Sequence, residues 1–233
     1  MDWVNVPPSA VADSVDPRRV LRSETVYTGR IWDVQVERFE LTDGGAQMTR
    51  DYITHPGAVA IVALDEQDRM HLIRQYRHPV GMTQWEIPAG ILDVEGERPE
   101  HTARRELAEE ADLEAQDFWV LTDFHNSPGS SAEAIRVFLA RGLSELPADQ
   151  RYERSDEESE IVGAKVALDD VVTAVLSGRL GSPNIVVGAL AAYAARAAGW
   201  STLRDPSAPW SGHHQLRYTG GVVPRSIVPP KDR

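Results

Sequence analysis

The chain has 233 residues, 42% of them hydrophobic, and a formal net charge of −12. That length supports one good-sized domain, or a small and a larger one, with a packed core. The acidic balance excludes non-specific binding to nucleic acid or anionic lipid, though not a small phosphate ligand, and the absence of Cys excludes disulfides and thiolate metal sites.

Residues 1–22 are polar and carry Pro7, Pro8 and Pro17, which predicts a flexible leader. No basic segment precedes an apolar run there, and no stretch reaches transmembrane length. The expectation is a soluble, cytoplasmic protein with no membrane partner. Alternating apolar and polar residues then predict strands near 24–28, 31–41 and 46–54, broken by the hairpin signal "TDGG". "GAVAIVALD" suits a buried strand, "HLIRQYRH" returns the chain, and "QWEIPAG" is a short strand ending at Pro88 and Gly90.

A helix follows from about Pro99 to Ala111, with Pro99 in its first turn. "FWVLTDFH" and "EAIRVFLARGL" read as strands around the turn "NSPGSSAE". "LPADQRYERSDEESE" reads as a charged loop and "IVGAKVAL" as a strand. "DDVVTAVLSG" is a short helix with Asp169 as its cap, and a second helix opens at Ser182-Pro183 and stops at Gly199. From Ser201 the Pro-, Gly- and polar-rich residues predict a tail, or an arm over a partner. The order of elements points to α+β or an α/β sandwich.

Within "RRELAEEADLE", Glu106, Glu109 and Glu110 stand at i, i+3 and i+4, on one helix face. Like charges at that spacing repel, and acids near a helix C-terminus oppose its dipole. A cation between the carboxylates reverses the repulsion, and hard divalent cations take oxygen ligands. The bland alternative is a solvated acidic face.

The flanks favour the cation. "GILDVEGERPEHTARRELAEEADL" resembles the Nudix box, G-x5-E-x7-R-E-U-x-E-E-x-G-U, with Glu97, Arg105, Glu106, Leu107, Glu109, Glu110 and Leu113 in register. Two positions depart. Gly90 to Glu97 is one residue longer than the pattern, so the loop bulges or Gly90 shifts. Asp112 stands where the box has Gly, at a helix end expected to be left-handed.

The resemblance implies an α+β fold, the α/β/α sandwich of the Nudix type, behind an N-terminal antiparallel β-sheet region. It covers roughly Glu24 to Gly199 and divides the chain into a leader (1–22), an N-terminal, dimer-forming β region (23–54), the Nudix domain (55–200) and a C-terminal tail (201–233). It implies hydrolysis of a nucleoside diphosphate derivative with Mg²⁺, or Mn²⁺ in its place. The metal would be held by Glu106, Glu109, Glu110 and the Ala89 carbonyl, with Arg105 braced to Glu97.

"NSPGSSAE" resembles the S-P-G-x-S/T-x-E element of ADP-ribose pyrophosphatases, and Pro128 lies fifteen residues after Leu113, where that subfamily has its marker proline. The implied reaction is ADP-ribose to AMP and ribose 5-phosphate; the alternative is another nucleotide sugar or a broad set of nucleoside diphosphate derivatives. The implied substrate-binding residues are Trp32, Arg50, Arg77, Glu86, Pro128 and Ser130, with Arg74 as a further phosphate candidate. For Trp32, stacking on adenine and an ordinary sheet or dimer contact are both open. The base is expected on the loop "ERSDEESEIVGAKV": Glu157 first, Glu158 second, Glu160 less suited, and Glu109 if none serves. Subfamily members are typically homodimers.

Overall fold

The computed structural model describes residues 3–154 and 160–228. Strand β4 (Ala58–Ala63) is buried at every position, as its continuous apolar run requires of a strand covered on both faces. It lies between β7 (Ala89–Ile91), antiparallel, and β9 (Ala134–Glu145), parallel, and β8 (Leu113–His125) completes a sheet ordered β7-β4-β9-β8. A second, antiparallel sheet is ordered β10-β5-β6, from Val162–Ala167, Arg69–Arg77 and Met82–Glu86.

The period-2 alternation of β4 sorts its side chains between two cores. Ala60 and Val62 pack with Leu168 and Val171 of helix α2 (Leu168–Leu176) and with Ile185, Ala189 and Ala192 of α3 (Pro183–Ala197). Val59, Ile61 and Ala63 pack with Ala103 and Leu107 of α1 (Pro99–Ala111). Helices therefore cover both faces, and the expected α/β/α sandwich forms. Among the described residues, no helix is long and apolar enough to cross a membrane.

Strands β1 (Val20–Thr28), β2 (Asp33–Glu40) and β3 (Gln47–Ile53) make a separate antiparallel sheet. β1 is exposed along its whole length. The Ile53 amide donates to the Ser130 carbonyl at 2.9 Å, and the Ala132 amide to that of Ile53 at 2.9 Å. The "SPG" turn thus joins this sheet to the sandwich.

Four local expectations change. β1 begins at Val20, inside the predicted leader. β8 begins at Leu113, straight after α1, because it pairs with the far end of β9. α2 begins at Leu168 with Ala167 in the cap position, because the Asp169 carboxylate accepts from Arg196 Nη2 at 2.6 Å instead of capping. Ser182 holds the cap position of α3 without a side-chain cap bond.

The largest correction concerns the segment after Ser201. It is not a loose tail: Trp210, His213, Leu216, Val223 and Val228 are buried, the apolar ones in the α1-side core. Buried Arg136 of β9 explains the docking. It makes a two-point bond to Asp123 at 2.8 and 3.1 Å, donates to the Ala208 and Pro209 carbonyls at 2.7 and 3.2 Å, and lies 4.7 Å from the Trp210 ring centre. The guanidinium spends its donors on the segment's backbone as well as on its counter-ion, which a buried charge requires.

Candidate active site

The acidic face of α1 meets the β7 turn. A Cβ on Gly90 would collide with the Glu106 carboxyl group, so any larger residue would push the carboxylate from this position. The Glu110 carboxylate accepts from the Ala89 amide at 2.8 Å, fixing the helix to the turn. The extra residue of the box loop does not displace Gly90, which stays against Glu106, and Gly96 just before Glu97 takes a φ of +82°.

Arg105 lies among four carboxylates. Its Nη1 donates to Glu106 at 2.7 Å and Glu109 at 3.1 Å, and its Nη2 to Asp93 at 3.2 Å and Glu97 at 3.4 Å. The Glu97 oxygen that Arg105 reaches, Oε2, also accepts from the Thr102 hydroxyl at 2.9 Å. Arg105 is therefore more than a brace to Glu97: it is the internal counter-ion of the acidic face. Its Nε is buried without a hydrogen-bond partner among the described residues.

The electrostatics match a cation seat. Burial pushes the Glu106 carboxyl up to about 7; Arg105 opposes this, and the Glu109 and Asp93 carboxylates add to it. Burial favours the neutral form of Arg105, but Glu106, then Glu97 and Glu109, outweigh it and raise its pKa. The donor set is oxygen only, which suits Mg²⁺ or Mn²⁺. No group of three or more His, Cys, Asp or Glu side chains is pre-assembled as a metal cage among the described residues. Arg105 now holds two of the oxygens such a cage needs.

Helix α1 ends as the pattern requires. Asp112 has φ 54° and ψ 36°, left-handed. Arg154 secures it, with Nη2 at 2.9 Å from the Asp112 carboxylate and Nε donating to the Glu109 carbonyl at 3.0 Å. A cleft of about 330 Å³ opens beside this end, lined by Glu110, Asp112, Arg154, His71 and Lys165 among others.

The other expected residues divide. Arg77 gives Nε and Nη2 to the Glu86 carboxylate at 3.1 and 2.6 Å, and Glu86 also accepts from Gln75 at 3.2 Å. Glu86 is only 3% exposed, so it serves Arg77 and Gln75. Arg74 lies exposed, 5.8 Å from the Trp85 ring centre. Arg50 is exposed on β3 opposite Glu37 and donates to the Thr49 carbonyl at 2.8 Å. Trp32 is 40% exposed in the turn before β2, with its ring 6.2 Å from that of Tyr27. Trp32 and Arg50 make none of the bonds that tie the α1 face. Pro128 and Ser130 form the exposed turn, closed by the Ser130 amide on the Ser127 carbonyl at 2.9 Å. Glu157 and Glu158 lie outside the described residues; Glu160 is exposed.

Sequence reasoning missed Asp93, Thr102 and Arg154. Asp93 stands in the departing stretch of the box loop and Thr102 at an unspecified position of the box. Arg154 had no signal beyond being a cation in an acidic loop.

The NUDIX domain model matches residues 54–185, more than half of the chain. The chain is 40% identical over 174 residues to the ADP-ribose pyrophosphatase of Mycobacterium tuberculosis, covering 75% of this chain and 82% of that one. It is 37% identical over 159 residues to the ADP-ribose pyrophosphatase of Bacillus subtilis, covering 68% and 83%. A solved structure described as an ADP compounds hydrolase superposes with a TM-score of 0.63 at 21% identity, covering 81% of this chain and 99% of that one, a likeness of fold alone. A domain match of this extent, with relatives aligned along most of their own length, means that the chain belongs to the Nudix family.

Proposed function

We propose that the protein hydrolyses the diphosphate bond of ADP-ribose, giving AMP and ribose 5-phosphate, with Mg²⁺ as the metal and Mn²⁺ able to replace it. One observation carries the hydrolytic reading: Glu106, Glu109 and Glu110 share one helix face, with Glu106 and Glu109 on Arg105 and Gly90 leaving room for the Glu106 carboxylate. The choice of ADP-ribose rests on the names of the relatives and on the "SPG" turn that joins the N-terminal sheet to the sandwich.

In this reading Glu106, Glu109, Glu110 and the Ala89 carbonyl hold the metal. When bound there, the metal would supply Lewis acidity toward the diphosphate and toward water. The Glu110–Ala89 bond keeps the turn and the helix in one frame, so Glu110 and the Ala89 peptide stay together, while Glu106 and Glu109 are first held by Arg105. Arg77, aimed by Glu86, and Arg50 hold phosphate oxygens, where a guanidinium fork fits. Trp32 stacks on adenine. Glu157 takes the proton of the attacking water, with Glu158 the second candidate.

The N-terminal sheet leaves Val26, Tyr27 and Trp32 exposed, and a second copy across it is the proposed homodimer contact. The cytoplasm is the proposed setting. The test is turnover of purified protein with Mg²⁺ on ADP-ribose, GDP-mannose, NADH and a dinucleoside polyphosphate. The expected result is the highest kcat/KM for ADP-ribose. Negligible ADP-ribose turnover beside rapid turnover of another compound would transfer the assignment to that compound.

A further inference from the structure

The C-terminal segment does more than fill the α1-side core. After Trp210 and His213 it returns across the box loop, where the Gly96 amide donates to the Val223 carbonyl at 2.9 Å and the Val223 amide to the Glu97 carbonyl at 3.0 Å. Residue 223 thus forms a two-bond backbone clasp on the two residues at the end of that loop. The clasp is anchored on both sides. Upstream, Arg136 holds the Ala208 and Pro209 carbonyls, and His213 Nε2–H donates to the Pro56 carbonyl at 2.9 Å. At the clasp, the Val223 side chain is fully buried beside Leu92 and Leu107.

Glu97 is the residue this clasp positions, and Glu97 with Asp93 forms the outer half of the Arg105 cluster. Arg105 now divides its donors between Glu106 and Glu109 on one side and Asp93 and Glu97 on the other. For Glu106 and Glu109 to become ligands, Arg105 must release them while keeping counter-charges of its own. A fixed loop supplies those alternative acceptors; a loose loop leaves Arg105 competing with the cation for the same oxygens.

We propose that Val223 is a positioning residue for the metal site: its backbone clasp on Gly96 and Glu97 fixes Glu97, whose carboxylate, beside that of Asp93, draws Arg105 off the metal-binding acids. This rests on the metal-dependent reading above, and the experiment separates the two. Pro224 already biases residue 223 toward extended backbone. Val223→Pro removes the N–H that the Glu97 carbonyl accepts. Val223→Ala keeps both backbone bonds and removes only side-chain packing.

Mn²⁺ affinity is measured by calorimetry without substrate, and amide exchange of the 93–98 loop by mass spectrometry. Val223→Pro is expected to weaken Mn²⁺ about tenfold, the lower end for losing an outer-shell partner, and to speed exchange in the loop. Val223→Ala is expected to bind Mn²⁺ as wild type does. Equal Mn²⁺ affinity in wild type and Val223→Pro overturns the proposal, as does equal weakening in both variants, which assigns the effect to packing. Wild type that binds no Mn²⁺ overturns the metal-dependent reading itself. Should Val223→Pro fail to fold, an ester in place of the 222–223 amide removes the same N–H without the ring and is read in its stead.

Discussion

The acidic face of α1 and the segment 201–228 lie on the same side of the sandwich and are built on opposite principles. The α1 face gathers carboxylates that repel one another, relieved only partly by Arg105. The C-terminal segment is anchored by polar groups that satisfy one another: Arg136 of β9 with Asp123 and two of the segment's carbonyls, and His213 with three backbone groups, while His214 Nδ1 and Arg217 Nε are buried without a hydrogen-bond partner among the described residues. The first region holds electrostatic tension that a ligand can resolve. The second resolves its own at the Arg136 and His213 anchors and contributes to stability there. Activity and stability should therefore respond to substitutions at different places, and three experiments test that division.

The largest effect is expected at Glu106. Glu106→Gln keeps the side chain's shape and removes the charge a cation needs. Metal-assisted charge stabilisation is worth several kcal/mol, so at about 1.4 kcal/mol per tenfold in rate, turnover should fall by about 10³-fold. Stability should not follow. The folded-state pKa of Glu106 is raised to about 7. Its contribution to stability is present below its ordinary range and lost as pH rises through 7. The metal-free variant at pH 8 should unfold at a Tm no lower than wild type. A large fall in Tm with only a small fall in kcat would reverse the roles given to the two regions.

The asymmetry also explains what the sequence revealed. The α1 acids are legible because neighbours three and four apart must share a face, and Gly90, Glu97 and Arg105 stand at set spacings from them. The left-handed backbone at Asp112 was legible for the same local reason. The Arg77–Glu86 bond was not, because it depends on the register in which β5 pairs with β6. Nor was the burial of Trp210, Leu216, Val223 and Val228. They recur with neither a strand nor a helix period among Pro and Gly, and their burial follows from the shape of a core assembled by distant residues. Arg136 hid within an apolar strand pattern, where its charge read as an interruption rather than as the anchor of the segment.

The second experiment uses His213. Its Nε2–H donates to the Pro56 carbonyl, and its Nδ1 accepts from the Gln215 and Leu216 amides, each at 3.2 Å. Both roles are met only by the neutral ring, and burial, with His214 next, lowers its pKa to about 3. The unfolded chain takes up this proton near its ordinary value of 6.5. Between those values the unfolded state binds more protons, so stability is complete above 6.5 and lost as pH falls toward 3. The expected loss between pH 7.5 and pH 5 is about 2 kcal/mol from this residue. Urea unfolding of His213→Gln, whose amide can still donate to Pro56, should show a shallower fall over that range. An unchanged slope would remove His213 from the account and leave the pH response elsewhere.

The smallest effect is expected at Asp112, where the two regions' principles meet. Its left-handed backbone costs a non-glycine residue about 1 kcal/mol, and less for Asp than for most. Glycine would relieve that cost. It would also remove the carboxylate that Arg154 holds at 2.9 Å, with both side chains about four-fifths buried (20% and 21% exposed). An ion pair of this kind contributes about 0.2–1 kcal/mol when exposed and somewhat more where water is partly excluded. The two terms nearly cancel, so Asp112→Gly should change stability by less than about 0.5 kcal/mol. In a background of Arg154→Ala glycine brings the backbone relief and also removes an unpaired, mostly buried carboxylate, so the same substitution should stabilise by at least about 0.5–1 kcal/mol. A non-zero coupling would mean that Asp112 contributes an ionic lock on the last turn of α1, the turn whose Glu109 carbonyl Arg154 also holds. Zero coupling would reduce Asp112 to an imperfect glycine and leave the helix end secured by its backbone bonds and by Arg154 on the Glu109 carbonyl.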